Sequence, residues 1–179
     1  EKTLEEALFY DGYDLIYLNY NNGGDNLKRN SYLLENLIQW VNQQKTINGS
    51  TQKNIVIGVS MGGLVSSYAL RDMELRVPAI QHDTRLYVSF DSPHLGANIP
   101  LGFQAAIKYL SGISMFWISP KDIVPELNDG YNALNCTAAT QMLYYQLAGS
   151  GSSITINNTP HSTFRSEYDS KGLPRLWGI

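Results

Sequence analysis

The chain has 179 residues and a formal net charge of −3, with charged residues making up only 16%. That length suits one domain with a sizeable core, and with no basic patch or Lys/Arg run nothing points to nucleic acid. A single cysteine, Cys136, rules out an internal disulfide and gives no metal-ligand spacing, and no apolar run is long enough to span a membrane.

Thr3 with Glu6 fits a capping box, so a short helix is expected through Ala7, Leu8 and Phe9, ended by Asp11-Gly12. Leu15-Ile16-Tyr17-Leu18 then reads as a short apolar strand. The polar loop from Asn19 to Asn26 follows, with Asp25 or Asn26 as the next helix cap. Leu27, Ser31, Leu34, Ile38 and Val41 recur at helical spacing, and Leu33 and Leu37 widen the stripe. Asn48-Gly49-Ser50 closes this helix.

Ile55 to Ile57 is a β-branched run bounded by polar residues and glycine, which reads as a fully buried strand. Leu64, Val65, Tyr68 and Ala69 follow at helical spacing. Between them stands Gly58-Val59-Ser60-Met61-Gly62, a G-x-S-x-G pattern. A strand that turns sharply into a helix strains its turn residue and crowds its neighbours, so glycine is expected two residues before and two after. The serine hydroxyl is then held above the strand ends at a helix N-terminus. Unpaired N–H groups and the helix dipole favour an oxyanion there. Such a turn is a nucleophile elbow; Ser60 is thus the candidate nucleophile, and the Met61 backbone N–H the candidate oxyanion donor. Strand, helix, strand, helix is the alternation that builds a parallel sheet with right-handed crossovers.

Arg71 to Glu74 is read as the exposed end of the second long helix, and Pro78 marks a loop. Leu86 to Phe90 is the next strand. It runs straight into Asp91-Ser92-Pro93-His94-Leu95-Gly96-Ala97, at the strand end where open α/β sheets place their sites. Further on, Leu101 to Leu110 is expected as a helix, Ile113 to Ile118 as a compact apolar run, and Ala133 to Leu147 as another helix. Gly149 to Ser153 reads as a linker or mobile loop, and Leu173 to Ile179 as the entry into a further strand. There is no internal repeat.

Two passages carry a family resemblance: Ile57-Gly58-Val59-Ser60-Met61-Gly62-Gly63-Leu64-Val65, and Phe90-Asp91-Ser92-Pro93-His94-Leu95-Gly96-Ala97. With them the chain resembles α/β-hydrolases of the lipase/esterase superfamily, and within it the lipase-like group related to GPI inositol-deacylases. The resemblance spans most of residues 14–147. It implies a mostly parallel sheet of about eight strands with flanking helices, and a Ser–acid–His triad in that chain order. On that expectation residues 1–179 form a single hydrolase domain truncated at both ends, with 98–150 as a possible lid or cap insertion. The truncated piece alone is then expected to be a poor catalyst. The run Ile113–Ile118 suits either a lid over an acyl site or an ordinary core helix.

Asp91, at the end of the strand after the elbow, is the candidate triad acid, against a role in capping its own turn. His94 is read as a cleft-lining, loop-ordering residue distinct from the base. His161 respects the triad order, but its Thr-Pro-His-Ser setting after a Gly/Ser stretch reads better as a solvated loop. His82 is expected to hydrogen-bond locally before its strand. Asp25 is read as a cap. No metal site and no cofactor are expected.

The reaction class this points to is hydrolysis of a carboxylic ester by a serine nucleophile, with an acyl ester or lipid as substrate. Acyl transfer on the same fold, with an alcohol replacing water, is the first alternative. A hydrolase-fold binding module without turnover is the second. Oligomeric state is left open. The first residues have no signal-peptide character; the resemblance alone suggests a secreted or cell-envelope setting.

Overall fold

A computed structural model describes residues 2–112, 125–149 and 154–175. The elements in order are α1 (Leu4–Tyr10), α2 (Leu27–Ile47), β1 (Asn54–Val59), α3 (Met61–Leu75), β2 (Thr84–Phe90) and α4 (Leu101–Gly112). They continue with α5 (Pro125–Asn135), α6 (Thr137–Met142), β3 (Gln146–Ala148), β4 (Thr155–Asn157) and α7 (Thr159–Lys171). The capping box of α1 forms as expected, with Thr3 and Glu6 bonding each other's backbone N–H. Asn26 caps α2 by accepting from the Lys28 N–H, while Asp25 accepts from the N–H of Asn26.

β1 and β2 pair in parallel, with Ile57 opposite Val88 and Val59 opposite Phe90. Side chains alternate across a strand, so the pair has two unlike faces. Val56 and Tyr87 pack against the core formed by α2 and α3, beside Gly58 and Ser89. The opposite face carries Ile55, Ile57, Val59, Leu86, Val88 and Phe90. Parallel sheets normally bury both faces, yet among the described residues this second face stays open: Val59 is 60% exposed and Phe90 65%.

The core joins Leu27, Leu34 and Ile38 of α2 to Leu64, Val65, Tyr68, Leu70 and Met73 of α3, closed by Ala138 of α6 and by Phe164 and Tyr168 of α7. Three polar residues of α2, Asn30, Ser31 and Glu35, are buried, while Leu33 is exposed. Glu35 pairs with Arg76 at 2.5 Å, and Arg76 also reaches Asp72, which pairs with Lys171 of α7.

Several expectations are corrected. Leu15–Leu18 forms no strand: a strand exists only through a ladder, and this segment makes none with the described residues. Arg71 to Glu74 is not an exposed helix end, because Arg71 pairs with Glu74 and Asp72 is held by Lys171 and Arg76. The expected helix Ala133–Leu147 breaks at Cys136, whose extended backbone caps α6, and its end becomes β3. β3 pairs with β4 as an antiparallel hairpin. The region after it is helical: Asn158 and Pro160 open α7, since proline is pre-organised for a first helical turn. Residues 172–175 after α7 form no strand. The run Ile113–Ile118 lies outside the described residues.

Candidate active site

Ser60 joins β1 directly to α3, and its backbone takes φ 52°, ψ −123°. For a residue with a side chain this left-handed region is strained and needs support from its surroundings. Support comes from both sides. The Ser60 N–H donates to the Phe90 carbonyl at 2.9 Å, and its carbonyl accepts from the Gly63 N–H at 3.0 Å. The glycines make room. A Cβ on Gly58 would strike the Gly62 carbonyl and lie 2.6 Å from Gly63 Cα. A Cβ on Gly63 would run into the Ser92 side chain and sit 2.6 Å from Ser89 Oγ. Gly62 meets nothing within 4 Å. The expectation of a required glycine two residues after the serine is therefore corrected: the crowded position is Gly63, where α3 crosses the end of β2.

Serine at a helix N-cap usually accepts a hydrogen bond from the first turn. Ser60 does not; it makes no side-chain cap bond and is exposed. Among the described residues its hydroxyl has no hydrogen-bond partner, and it lies at the C-terminal edge of the sheet. Met61 is the first residue of α3, so its N–H has no carbonyl partner within the helix.

Asp91 follows Phe90 as Ser60 follows Val59, and those two residues are paired in register. The two strands run parallel, so Ser60 and Asp91 share one edge. Asp91 is exposed and also has a positive φ, 47°. Strained residues thus end both strands at neighbouring positions.

The loop behind Asp91 is built around His94. Its Nε2 lies 2.6 Å from Ser89 Oγ and its Nδ1 lies 2.7 Å from the Tyr168 hydroxyl. Tyr168 in turn donates to Ser67 Oγ at 2.9 Å, so the Tyr168 oxygen accepts the Nδ1 proton and Nε2 accepts from Ser89. Burial, and secondarily the Arg165 charge, hold the His94 pKa below the usual histidine value, which keeps this neutral form. Both ring nitrogens are engaged, in keeping with a loop-ordering residue.

The other histidines lie elsewhere. His161 is 6% exposed, inside the first turns of α7, which corrects the solvated-loop reading. Its Nδ1 donates to the Gln141 carbonyl at 3.0 Å, and its ring packs against Gly96. Gly96 needs to be glycine there, with φ 102° and no room for a Cβ. His82 is buried before β2 and accepts from the Thr84 N–H while its Nε2 faces Glu74, the local bonding expected of it. No hydrogen bond joins Ser60 Oγ to any of the three. Asp25 accepts from Arg29 at 2.7 Å. Among the described residues no group of His, Cys, Asp and Glu is placed to hold a metal ion, and no helix is long and apolar enough to cross a membrane. A cavity of about 450 Å³ opens between Asn26, Lys28, Gln141, Thr159 and Glu167; no elbow residue lines it.

Ser67, Ser89, Arg165 and Tyr168 were invisible as site residues in the sequence. The available signal was the spacing His161, Phe164, Tyr168 behind Asn158 and Pro160, one buried helix face.

The described elements form an α/β arrangement in which a strand turns into a helix at a strained, uncapped serine. The chain belongs to the PGAP1-like alpha/beta domain family, whose model matches residues 8–164. No curated protein and no solved structure matches it.

Proposed function

We propose that this chain hydrolyses a carboxylic ester through nucleophilic attack by Ser60, with an acyl ester or lipid as the substrate class. One observation carries the reading: an exposed serine held at φ 52° whose hydroxyl does not cap its own helix. Strain of this kind persists only where the surroundings impose it, and it clusters at reacting centres. Membership of a hydrolase-type family agrees with it.

In the proposed reaction Ser60 Oγ bonds to the ester carbonyl carbon as its proton passes to a base. The carbonyl oxygen becomes an oxyanion, accepted by the Met61 N–H at the positive end of α3. The C–O bond to the alcohol breaks, and the alcohol leaves with the proton. Water then attacks the acyl-serine and regenerates Ser60. Asp91 is the proposed acid and His94 the proposed wall of the cleft. We assign the base to none of the three histidines, because His82 and His94 have both ring nitrogens engaged and His161 faces Gly96.

The test is hydrolysis of p-nitrophenyl butyrate by the full-length native protein and its Ser60→Ala variant. Loss of a positioned nucleophile is expected to cost on the order of a millionfold in kcat. An unchanged rate in the variant would remove Ser60 from the mechanism. Added alcohol that captures the acyl group in place of water would instead favour acyl transfer.

A further inference from the structure

We propose that Tyr168 is a positioning residue, which acts through the His94 imidazole to hold the Asp91–Ala97 loop, and with it Asp91, at the sheet edge beside Ser60. The proposal rests on the reading of Ser60 as nucleophile.

Left to itself the loop is weakly built. Within it, His94 N–H donates to the Ser92 carbonyl and Gly96 N–H to the Pro93 carbonyl, both at 2.9 Å. Such tight turns set a local shape but do not fix the loop against the sheet. Ala97 at its far end is bonded through its backbone to Met142 and Tyr144, while the side-chain anchors around His94 come from Ser89 of β2 and from α7. His161, Arg165 and Tyr168 are spaced four and then three apart, so they share one helix face. The His161 ring packs on Gly96, the Arg165 guanidinium donates to the His94 carbonyl, and the Tyr168 hydroxyl takes the His94 Nδ1 proton.

Tyr168 is the fixed point among these. It is 6% exposed, and its ring packs with Phe164 at 5.8 Å between centroids. Its hydroxyl passes the chain on to Ser67 of α3, the helix that begins at Ser60. The line Ser89, His94, Tyr168, Ser67 therefore ties β2, the loop, α7 and α3 together. Each member has one donor direction, so removing the phenol oxygen leaves the His94 Nδ1 proton and Ser67 Oγ both without that partner. The imidazole is then held by Ser89 alone, and the loop loses its hydrogen-bonded tie through Tyr168 to the helix under the nucleophile. A misplacement of about 1 Å in a reacting constellation costs about a hundredfold in rate.

The experiment uses the full-length native protein and Tyr168→Phe, which keeps the ring. Expected are backbone-amide exchange in Ser92–Ala97 at least about tenfold faster, and kcat on p-nitrophenyl butyrate lowered about 10- to 100-fold with KM changed less than about threefold. In a His94→Ala background, Tyr168→Phe should have no further effect on kcat, because its action runs through that ring. Unchanged loop exchange overturns the proposal whether or not the enzyme is active. So does unchanged kcat, or a full additional loss in the double variant. If Ser60→Ala keeps its activity, the nucleophile reading fails by itself, and the loop exchange still decides whether Tyr168 holds the loop. Should the phenylalanine variant fail to show a cooperative melt, Ser89→Ala, which removes the other partner of the same imidazole from an exposed site, replaces it with the same expected rise in exchange. No rise there overturns the proposal.

Discussion

The two parallel strands end at the same edge, with a strained residue on each, but the two ends are made differently. The end of β1 is local. Gly58, Ser60 and Gly63 lie within one short stretch, and the turn is fixed by what cannot fit there. The end of β2 is remote. His94 is held by Tyr168 and Arg165, 74 and 71 positions further along the chain. Steric exclusion makes the elbow hard to deform and sensitive to single atoms. Hydrogen bonding from α7 makes the Pro-His loop adjustable and dependent on the docking of a distant helix.

The largest expected effect sharpens the local half of this contrast. Gly63→Ala places a Cβ against Ser92 and Ser89, and it should lower stability by about 3 kcal/mol, the upper end of typical overpacking costs. Gly58→Ala should behave alike, since the atoms it meets are backbone. Gly62→Ala meets nothing within 4 Å and should be neutral or stabilising by up to about 1 kcal/mol, as for glycine to alanine in a helix. Denaturant unfolding of the three variants checks this. Equal costs at Gly62 and Gly63 would break the steric account of the elbow.

A smaller effect concerns the floor on which both ends rest, the packing of α2 and α7 against α3. Glu35 is 2% exposed, and among the described residues its Oε1 has no hydrogen-bond partner. Burial pushes its pKa up to about 7, against the pull of Arg76 and with the help of Asp72. Burial also pushes the Asp72 carboxyl up, but Lys171 and Arg76 outweigh it and hold Asp72 below the usual range. The folded state binds the Glu35 proton more tightly than the unfolded chain does. Its contribution is therefore complete below the ordinary glutamate value of 4.5 and is lost as pH rises through about 7. Thermal unfolding should show stability falling by about 2 kcal/mol between pH 5 and pH 8 from this group, at roughly 1.4 kcal/mol per pKa unit. Glu35→Gln should remove that slope. A slope that survives the substitution would assign it to another group.

The smallest effect separates strain from packing at the elbow itself. Ser60→Gly removes the conflict between a side chain and φ 52° and should raise stability by about 1 kcal/mol, while abolishing ester hydrolysis. A loss of stability would show that the Ser60 side chain supports the fold and that the turn stores no strain.

The same division explains what could be read in the sequence. β1, the elbow and α3 were legible because the requirement is carried by adjacent residues: a β-branched run, G-x-S-x-G, then apolar positions at helical spacing. Even there the crowded glycine was misplaced by one position, since Gly63 is crowded by Ser89 of β2 and Ser92 of the loop after it. Asp91 to Ala97 was legible as a strand-end loop, but not what holds it. Tyr168, Arg165 and His161 lie on a helix hidden behind a Gly/Ser stretch and a Thr-Pro pair. Glu35 looks like a solvent-facing residue until Arg76, at the end of α3, is found beside it. Leu15 to Leu18 has the composition of a strand, yet composition cannot supply the neighbour that a ladder needs.

The central claim, that Ser60 is the nucleophile, is tested most directly by covalent trapping. The full-length native protein would be treated with a fluorophosphonate, digested, and sequenced by fragment-ion mass spectrometry. The account predicts one phosphonylated residue, Ser60, with no adduct in Ser60→Ala. An adduct on Ser89, Ser92 or any serine other than Ser60, labelling that survives in Ser60→Ala, or no adduct at all would contradict it.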